Sequence, residues 1–188
     1  MNNTKERPIL FSTEMITAIL EKLKTMTRRI NYKCEVGDVL WVQETWRFLP
    51  HEVRDRDVVK NRIVFKEGGD KLFYFSDNER REKWRKYASK QGWQSPYYMP
   101  REGARIFLKV TAVRQERLQD ISIDDARAEG VCILNWTKRG GYGGDDSPFY
   151  RVVFMILWDK LNASRGYSWE SNPMVNVIEF EVLEGYDE

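Results

Sequence analysis

Apolar positions recur at i, i+3, i+4 and i+7 through residues 12–23, at Ile16, Ile19, Leu20 and Leu23. That spacing predicts a helix with one buried face. Ser12 and Thr13 are residue types that cap a helix, and Glu14 places an acid in the first turn, where the dipole favours it. After Leu23 the period drops to two. Thr25, Thr27 and Arg29 fall on one side of an extended segment, with Met26, Arg28 and Ile30 on the other.

The same reading predicts strands at Val39–Val42, with Gln43–Trp46 continuing that run, and at Arg105–Val113. A closing strand gathers Val175, Val177, Ile178, Phe180 and Val182. Gly37-Asp38 punctuates the turn before Val39. Residues 47–98 are polar and charged and read as an insertion. Inside it, Arg62–Phe65 and Leu72–Phe75 are candidate strands, with Gly68-Gly69-Asp70 as a hairpin turn. Asn78–Tyr87 reads as a helix with Trp84, Tyr87 and Ala88 on one face. It is either an amphipathic element with a solvated side or a basic, aromatic surface for a nucleic-acid backbone. Pro96 and Pro100 bracket Tyr97-Tyr98-Met99, which is expected to be extended.

Ser122 and Asp125 have capping-box spacing, and Gly130 suits the position just past the end of that short helix. Glu129 is then its last residue, a carboxylate opposing the dipole. Lys138–Gly144 reads as a mobile glycine-rich surface loop. It has no Gly-Lys-Ser/Thr ending of the kind that cradles phosphate. Ser147 and Pro148 open a final helix whose stripe of Tyr150, Phe154, Leu157, Trp158 and Leu161 reads as core. Few, separated strands that must bury both faces suggest an α+β fold, a small barrel with helices at its ends. One domain is expected over residues 8–185, with Met1–Arg7 a loose tail.

Composition narrows the partners. The 188 residues carry a net charge of +2, so any anion site must be a local cluster rather than a polycationic coat. Two cysteines, Cys34 and Cys132, and one histidine, His51, are too few soft ligands for a structural zinc site, and both thiols are expected reduced and buried. No metal or other cofactor is expected. The N-terminal residues lack an apolar signal region, and no run approaches a membrane span, so a soluble cytoplasmic protein is expected. Seven Trp and nine Tyr serve either as core or as stacking surfaces for bases.

The densest candidate chemistry is Leu23-Lys24-Thr25-Met26-Thr27-Arg28-Arg29. A lysine, two hydroxyls and two arginines lie where a helix gives way to a strand. The plain reading is a C-terminal helix charge followed by a solvated edge. The alternative is a site.

The chain resembles a known family at several blocks. They are Pro8–Phe11 with Leu23–Arg29, Val36–Trp46, Met99–Arg101 with Arg105-Ile106, and Leu118–Ser122 through Ala126 to Glu129–Val131. They end with Leu157–Asp159, Trp169–Pro173 and Val177–Phe180. Together they resemble phage and prophage members of the ASCH family, within the PUA-like superfamily. The resemblance implies a PUA-like β-barrel, a fold used to bind RNA and modified bases. Expected partners are RNA or a nucleoside-type small molecule, or single-stranded nucleic acid, with no membrane. One branch of the family consists of small amidohydrolases acting on acetylcytidine through a Lys-Thr-x-Thr-x-Arg run and a later glutamate. Lys24, Thr27 and Arg29 match the run, and Glu129 aligns with the glutamate.

The implied catalytic set is Lys24, Thr27 and Glu129. Arg28, Arg29, Thr25, Trp41 and Glu44 are the implied binding residues. Thr27 would be the nucleophile, and Arg29 a donor to the developing oxyanion. Lys24 is a base only if burial lowers its pKa, and an ionised Glu129 beside it would raise that pKa. Either Glu129 is the base or the pair shares a proton. Two features depart from that branch. Arg28 stands where it has an apolar residue, and this chain is nearly twice as long. A non-catalytic modified-base reader, or a phage accessory protein that binds through residues 47–98, is the alternative.

Overall fold

The computed structural model describes residues 4–55, 58–75, 78–88, 90, 92–131 and 147–186. In chain order the elements are β1 (Glu6–Leu10), α1 (Thr13–Leu20), β2 (Met26–Arg29), β3 (Val39–Gln43), β4 (Trp46–Asp55), β5 (Val58–Phe65) and β6 (Asp70–Phe75). They continue with α2 (Asn78–Ala88), β7 (Phe107–Arg117), α3 (Ile123–Ala128), α4 (Ser147–Asn162) and β8 (Met174–Val182). The fold is mixed α+β.

Two sheets result. The first has strand order β1-β3-β7-β8-β2, and the second is the meander β4-β5-β6. The β7–β8 ladder forms the spine of the first, running from Leu108↔Val182 to Arg117↔Met174 with a bulge between Val110 and Ala112. β1 runs parallel to β3, and β2 antiparallel to β8. The edge strands β1 and β2 approach each other without a shared ladder among the described residues. Side chains bridge that seam. Arg29 Nη2 donates to the Leu10 carbonyl at 2.6 Å, and the Tyr32 hydroxyl to the Pro8 carbonyl at 2.8 Å. The expected barrel is therefore seen as a five-stranded sheet whose edges are joined by side chains rather than by backbone hydrogen bonds.

The core divides into clusters according to which face each strand presents. Ile9, Leu40, Val42, Leu108, Val110, Ile178 and Phe180 pack under Ile16 and Ile19 of α1. Met26, Val175 and Val177 meet Phe154 and Trp158 of α4 together with Ala126 of α3. Trp46, Phe48, Ile63, Phe65, Trp84, Tyr87 and Met99 form a third cluster between the second sheet and α2. Trp84 and Tyr87 thus point inward, so α2 is an amphipathic helix and their rings are not a stacking surface.

Several expectations change. The first helix ends at Leu20 rather than Leu23, and Leu20 and Leu23 are both exposed. β3 stops at Gln43, and Trp46 begins a strand of the other sheet. Pro96–Tyr98 is a 3-10 turn rather than extended, closed by Met99 N–H to the Pro96 carbonyl at 2.9 Å. Pro100 constrains only the residue directly before it, while Pro96 supplies the φ that such a turn needs. Glu6 and Arg7 belong to β1 rather than to a tail. The hairpin at Gly68-Gly69, with φ +85° and +78°, forms as expected. Cys34 is a half-buried free thiol, whereas Cys132 and the glycine-rich loop lie outside the described residues. No helix among the described residues is long and apolar enough to cross a membrane.

Asp38 ties β1 to the start of β3. It accepts from Arg7 Nε at 2.9 Å and from the amides of Glu35 and Lys5. Burial alone would raise its pKa, but Arg7 and the two amides outweigh that and hold the carboxyl below its usual range. Its contribution is therefore complete above the unfolded value of about 3.9 and is lost as pH falls through the lower folded value. The stability cost of Asp38→Asn, measured by denaturant titration, should shrink below about pH 4. Trp84→Ala should cost about 3–5 kcal/mol by the same assay. Amide exchange should accelerate in β4–β6 while β7 and β8 stay protected.

Candidate functional site

The end of α1 places Lys24. Glu21 caps the helix, and Lys22 takes a left-handed φ of 60°. The amide of Lys22 bonds the Ile19 carbonyl at 3.0 Å, and that of Leu23 the Ala18 carbonyl at 2.8 Å. This is a Schellman termination, with a lysine where glycine is usual. It turns the chain so that Lys24 points inward and is 1% exposed.

The Lys24 ammonium meets three oxygens. Nζ donates to the Met26 carbonyl at 2.7 Å, the Glu129 carbonyl at 2.8 Å and Glu129 Oε2 at 2.7 Å. An ammonium has three hydrogens, so the site suits the charged form and leaves no lone pair for a base. Burial pulls the Lys24 pKa below its ordinary value, and Glu129 opposes part of that fall.

α3 delivers Glu129. The Ser122 hydroxyl caps its start by accepting from the Asp125 amide at 3.0 Å. Glu129 is its C-cap, and the carboxylate turns back on Lys24 and Arg28, which offsets the unfavourable dipole position. Backbone pairing reinforces the contact, with Lys24 bridging Glu129 and the Thr25 amide bonding the Ala128 carbonyl at 2.9 Å. Gly130 has φ +76°, and a Cβ there would lie 2.7 Å from Lys24 Cβ and 2.9 Å from Ala18 Cβ. Glycine is required here both by conformation and by space.

Arg28 is not on a solvated edge. Its side chain is fully buried and donates to Glu116 through Nε and Nη2, to Asp125 through Nη2 at 2.5 Å, and to Glu129 through Nη1 at 3.3 Å. Arg114 extends the network to Glu116, Asp125 and Glu179. Both oxygens of Glu129 are thereby engaged by cations.

A cleft of about 350 Å³ opens at the β1–β2 seam. Thr27, Arg28, Arg29 and Glu129 line it, with Leu10 from the end of β1, Ser12 from the N-cap of α1, and Phe154, Leu157 and Trp158 from α4. Tyr32 and Arg165 complete its rim. Thr27 is buried, and no hydrogen bond joins its hydroxyl to Lys24 or Glu129 among the described residues. Arg29 stacks over Phe11 at 4.9 Å, and its Nε is buried without a partner. Burial lowers the Arg29 pKa, but guanidinium remains charged. The Tyr32 phenol is pushed up to about 12 by burial, so it acts as a neutral hydroxyl.

Three expected binding residues lie elsewhere. Thr25 is exposed and faces a separate surface hollow beside Phe180 and Glu181. Trp41 packs with Val39, Ala104 and Phe107. Glu44 is buried in a two-pronged pair with Arg105, at 3.1 and 2.8 Å, and Arg105 also reaches the Gly68 carbonyl. That pair joins the end of β3 to the β5–β6 turn and is architectural. Sequence reasoning missed Ser12, Tyr32 and Arg165 as lining residues and assigned the α4 stripe to core alone. Phe154 and Trp158 are buried, yet they also line the cleft. Among the described residues, no cluster of His, Cys, Asp and Glu could hold a metal ion.

No family model matches the chain, and no curated protein matches it. Among solved structures it is similar to the ASCH domain from Lactobacillus crispatus JV V101. That match is 11% identical with a TM-score of 0.46, over 95% of this chain and 79% of that one. It is similar also to a DUF984 protein from Enterococcus faecalis V583, at 10% identity and a TM-score of 0.46, over 97% and 78% of the two chains.

Lys24→Met strands part of a buried carboxylate and should cost about 3–5 kcal/mol of stability. Gly130→Ala should cost roughly 2–4 kcal/mol from overpacking and backbone strain. Denaturant midpoints check both, and a Gly130→Ala protein of wild-type stability would contradict the close packing of Gly130 against Lys24 and Ala18.

Proposed function

We propose that the seam cleft binds a nucleoside-type ligand, either free or as one unpaired base of an RNA. The observation that carries this reading is the pairing of an aromatic wall, Phe154 and Trp158, with a buried, unpartnered donor, Arg29 Nε. A buried donor without an acceptor costs about 1–3 kcal/mol, which a ligand carbonyl or phosphate oxygen would recover. The Phe154 and Trp158 rings offer an apolar lining for a base. A volume of about 350 Å³ lies at the small end of ligand pockets, which span roughly 300–1,000 Å³, and suits one nucleoside rather than a duplex.

Hydrolysis of an acylated nucleoside is the second reading, and the presence of Thr27 and Glu129 on one cleft favours it. Thr27 Oγ1 would attack the amide carbonyl and pass its proton to a base, and the exocyclic amine would leave protonated. Water would then cleave the Thr27 ester, releasing the acid and restoring the hydroxyl. The Lys24 ammonium is saturated with acceptors, so the base would be Glu129, with Lys24 holding it in place. Both oxygens of that carboxylate are already held, one by Lys24 and one by Arg28, which is why binding ranks first.

Titrating cytidine and acetylcytidine against tryptophan fluorescence should give saturable binding that weakens at least about tenfold in Arg29→Ala. A panel of nucleosides without any saturable response would sink the binding reading. If acetate is released from acetylcytidine, Thr27→Ala should abolish release while retaining binding. Binding without release leaves the reader function alone.

A further inference from the structure

Among the described residues, the charges that line the cleft do not balance: Arg28, Arg29 and Arg165 face one carboxylate, Glu129. Glu129 is taken by Lys24 and Arg28, and Arg28 is also held by Glu116 and Asp125. Arg29 and Arg165 make no ion pair among the described residues. Both line the same cleft; burial lowers the Arg29 pKa, Glu129 opposes that fall, and the charge of Arg165 adds to it.

Arg29 is also preorganised. Phe11 supports one face of its guanidinium at 4.9 Å, Nη2 bonds the Leu10 carbonyl at 2.6 Å, and Nε is left without a partner. Arg165 ends the 3-10 turn Ala163–Arg165 directly after α4, and Gly166, at φ +86°, closes it. The C-terminal dipole of α4 accounts for a cation at Arg165. It does not account for a second cation in the same cleft with an unused donor. Two cations lining one half-enclosed cleft are stabilised by an anion between them, and the guanidinium fork matches phosphate oxygens.

We propose that Arg29 and Arg165 form a phosphate subsite at the α4 end of the cleft, so that the ligand is a nucleotide, or a nucleotide unit of RNA, rather than an uncharged nucleoside. This rests on reading the cleft as a nucleoside site, but the subsite can be tested apart from it.

Calorimetric titration of the full chain with cytidine, cytidine 5′-monophosphate and a short single-stranded oligoribonucleotide tests the subsite, with thermal unfolding in inorganic phosphate alongside. The monophosphate should bind at least about tenfold more tightly than cytidine, and the ratio should shrink with added salt. Arg165→Gln should erase that ratio; Arg165 is exposed, so the variant should fold. Tighter binding of the oligoribonucleotide than of the monophosphate identifies a phosphodiester as the natural anion, and the reverse order a phosphomonoester. Equal binding of cytidine and its monophosphate overturns the subsite and leaves the cleft reading standing. Stabilisation by inorganic phosphate that is lost in Arg165→Gln, with no binding of either cytidine form, retains the subsite and overturns the nucleoside reading. No response to phosphate or to either phosphorylated ligand overturns the subsite.

Discussion

The Lys24 ammonium carries three hydrogens, and three oxygens surround it. Removing that charge from water is expensive, and only full coordination makes the position tolerable. Two of the three oxygens belong to Glu129, so the end of α3 must lie against the end of α1. The Schellman turn at Lys22 aims the lysine, and Gly130 gives it room. Because the third oxygen is the Met26 carbonyl, the same contact sets where β2 begins.

From that start β2 alternates, and its two faces do different work. Met26 and Arg28 point toward α3 and α4, where Arg28 joins three carboxylates into one network. Thr27 lies opposite, and Arg29 crosses the seam to the β1 carbonyl at Leu10. The cleft lies where two edge strands meet without a ladder between them. A seam closed by backbone hydrogen bonds would leave less room there for a ligand and fewer unsatisfied donors to meet one. In this respect the open seam and the proposed binding chemistry are one feature.

The second sheet is built on a different principle. In its cluster Trp46 packs edge to face on Trp84 and Tyr87, while Trp84 meets Phe48 and Tyr87 at a tilt, with ring centroids 4.9–5.8 Å apart. It meets the first sheet at Glu44–Arg105, where Arg105 also covers the Phe65 ring at 4.1 Å. None of its described residues lines the seam cleft. The aromatic richness that suggested base stacking along residues 78–87 is used there as core.

Local patterns located α1, α2, α4, β3, β7 and β8 and parts of β5 and β6, though not every end, because burying one face of an element imposes a repeat that residues display locally. Cap chemistry placed Ser122 and Gly130 for the same reason. The concentration of Lys24, Thr27, Arg28 and Arg29 in one short run was also readable, as was the misfit of Glu129 at a helix C-terminus. Whether Arg28 was buried or solvated could not be read there, since its partners lie at residues 116, 125 and 129. Arg165 gave no local signal, because a cation after a helix end is ordinary. The roles of Trp41 and Glu44 likewise depended on neighbours distant along the chain. Tertiary structure alone decided the seam, the ion network and the membership of the cleft, because each is a contact between segments about 20 to more than 100 residues apart, and no local pattern encodes which segments meet.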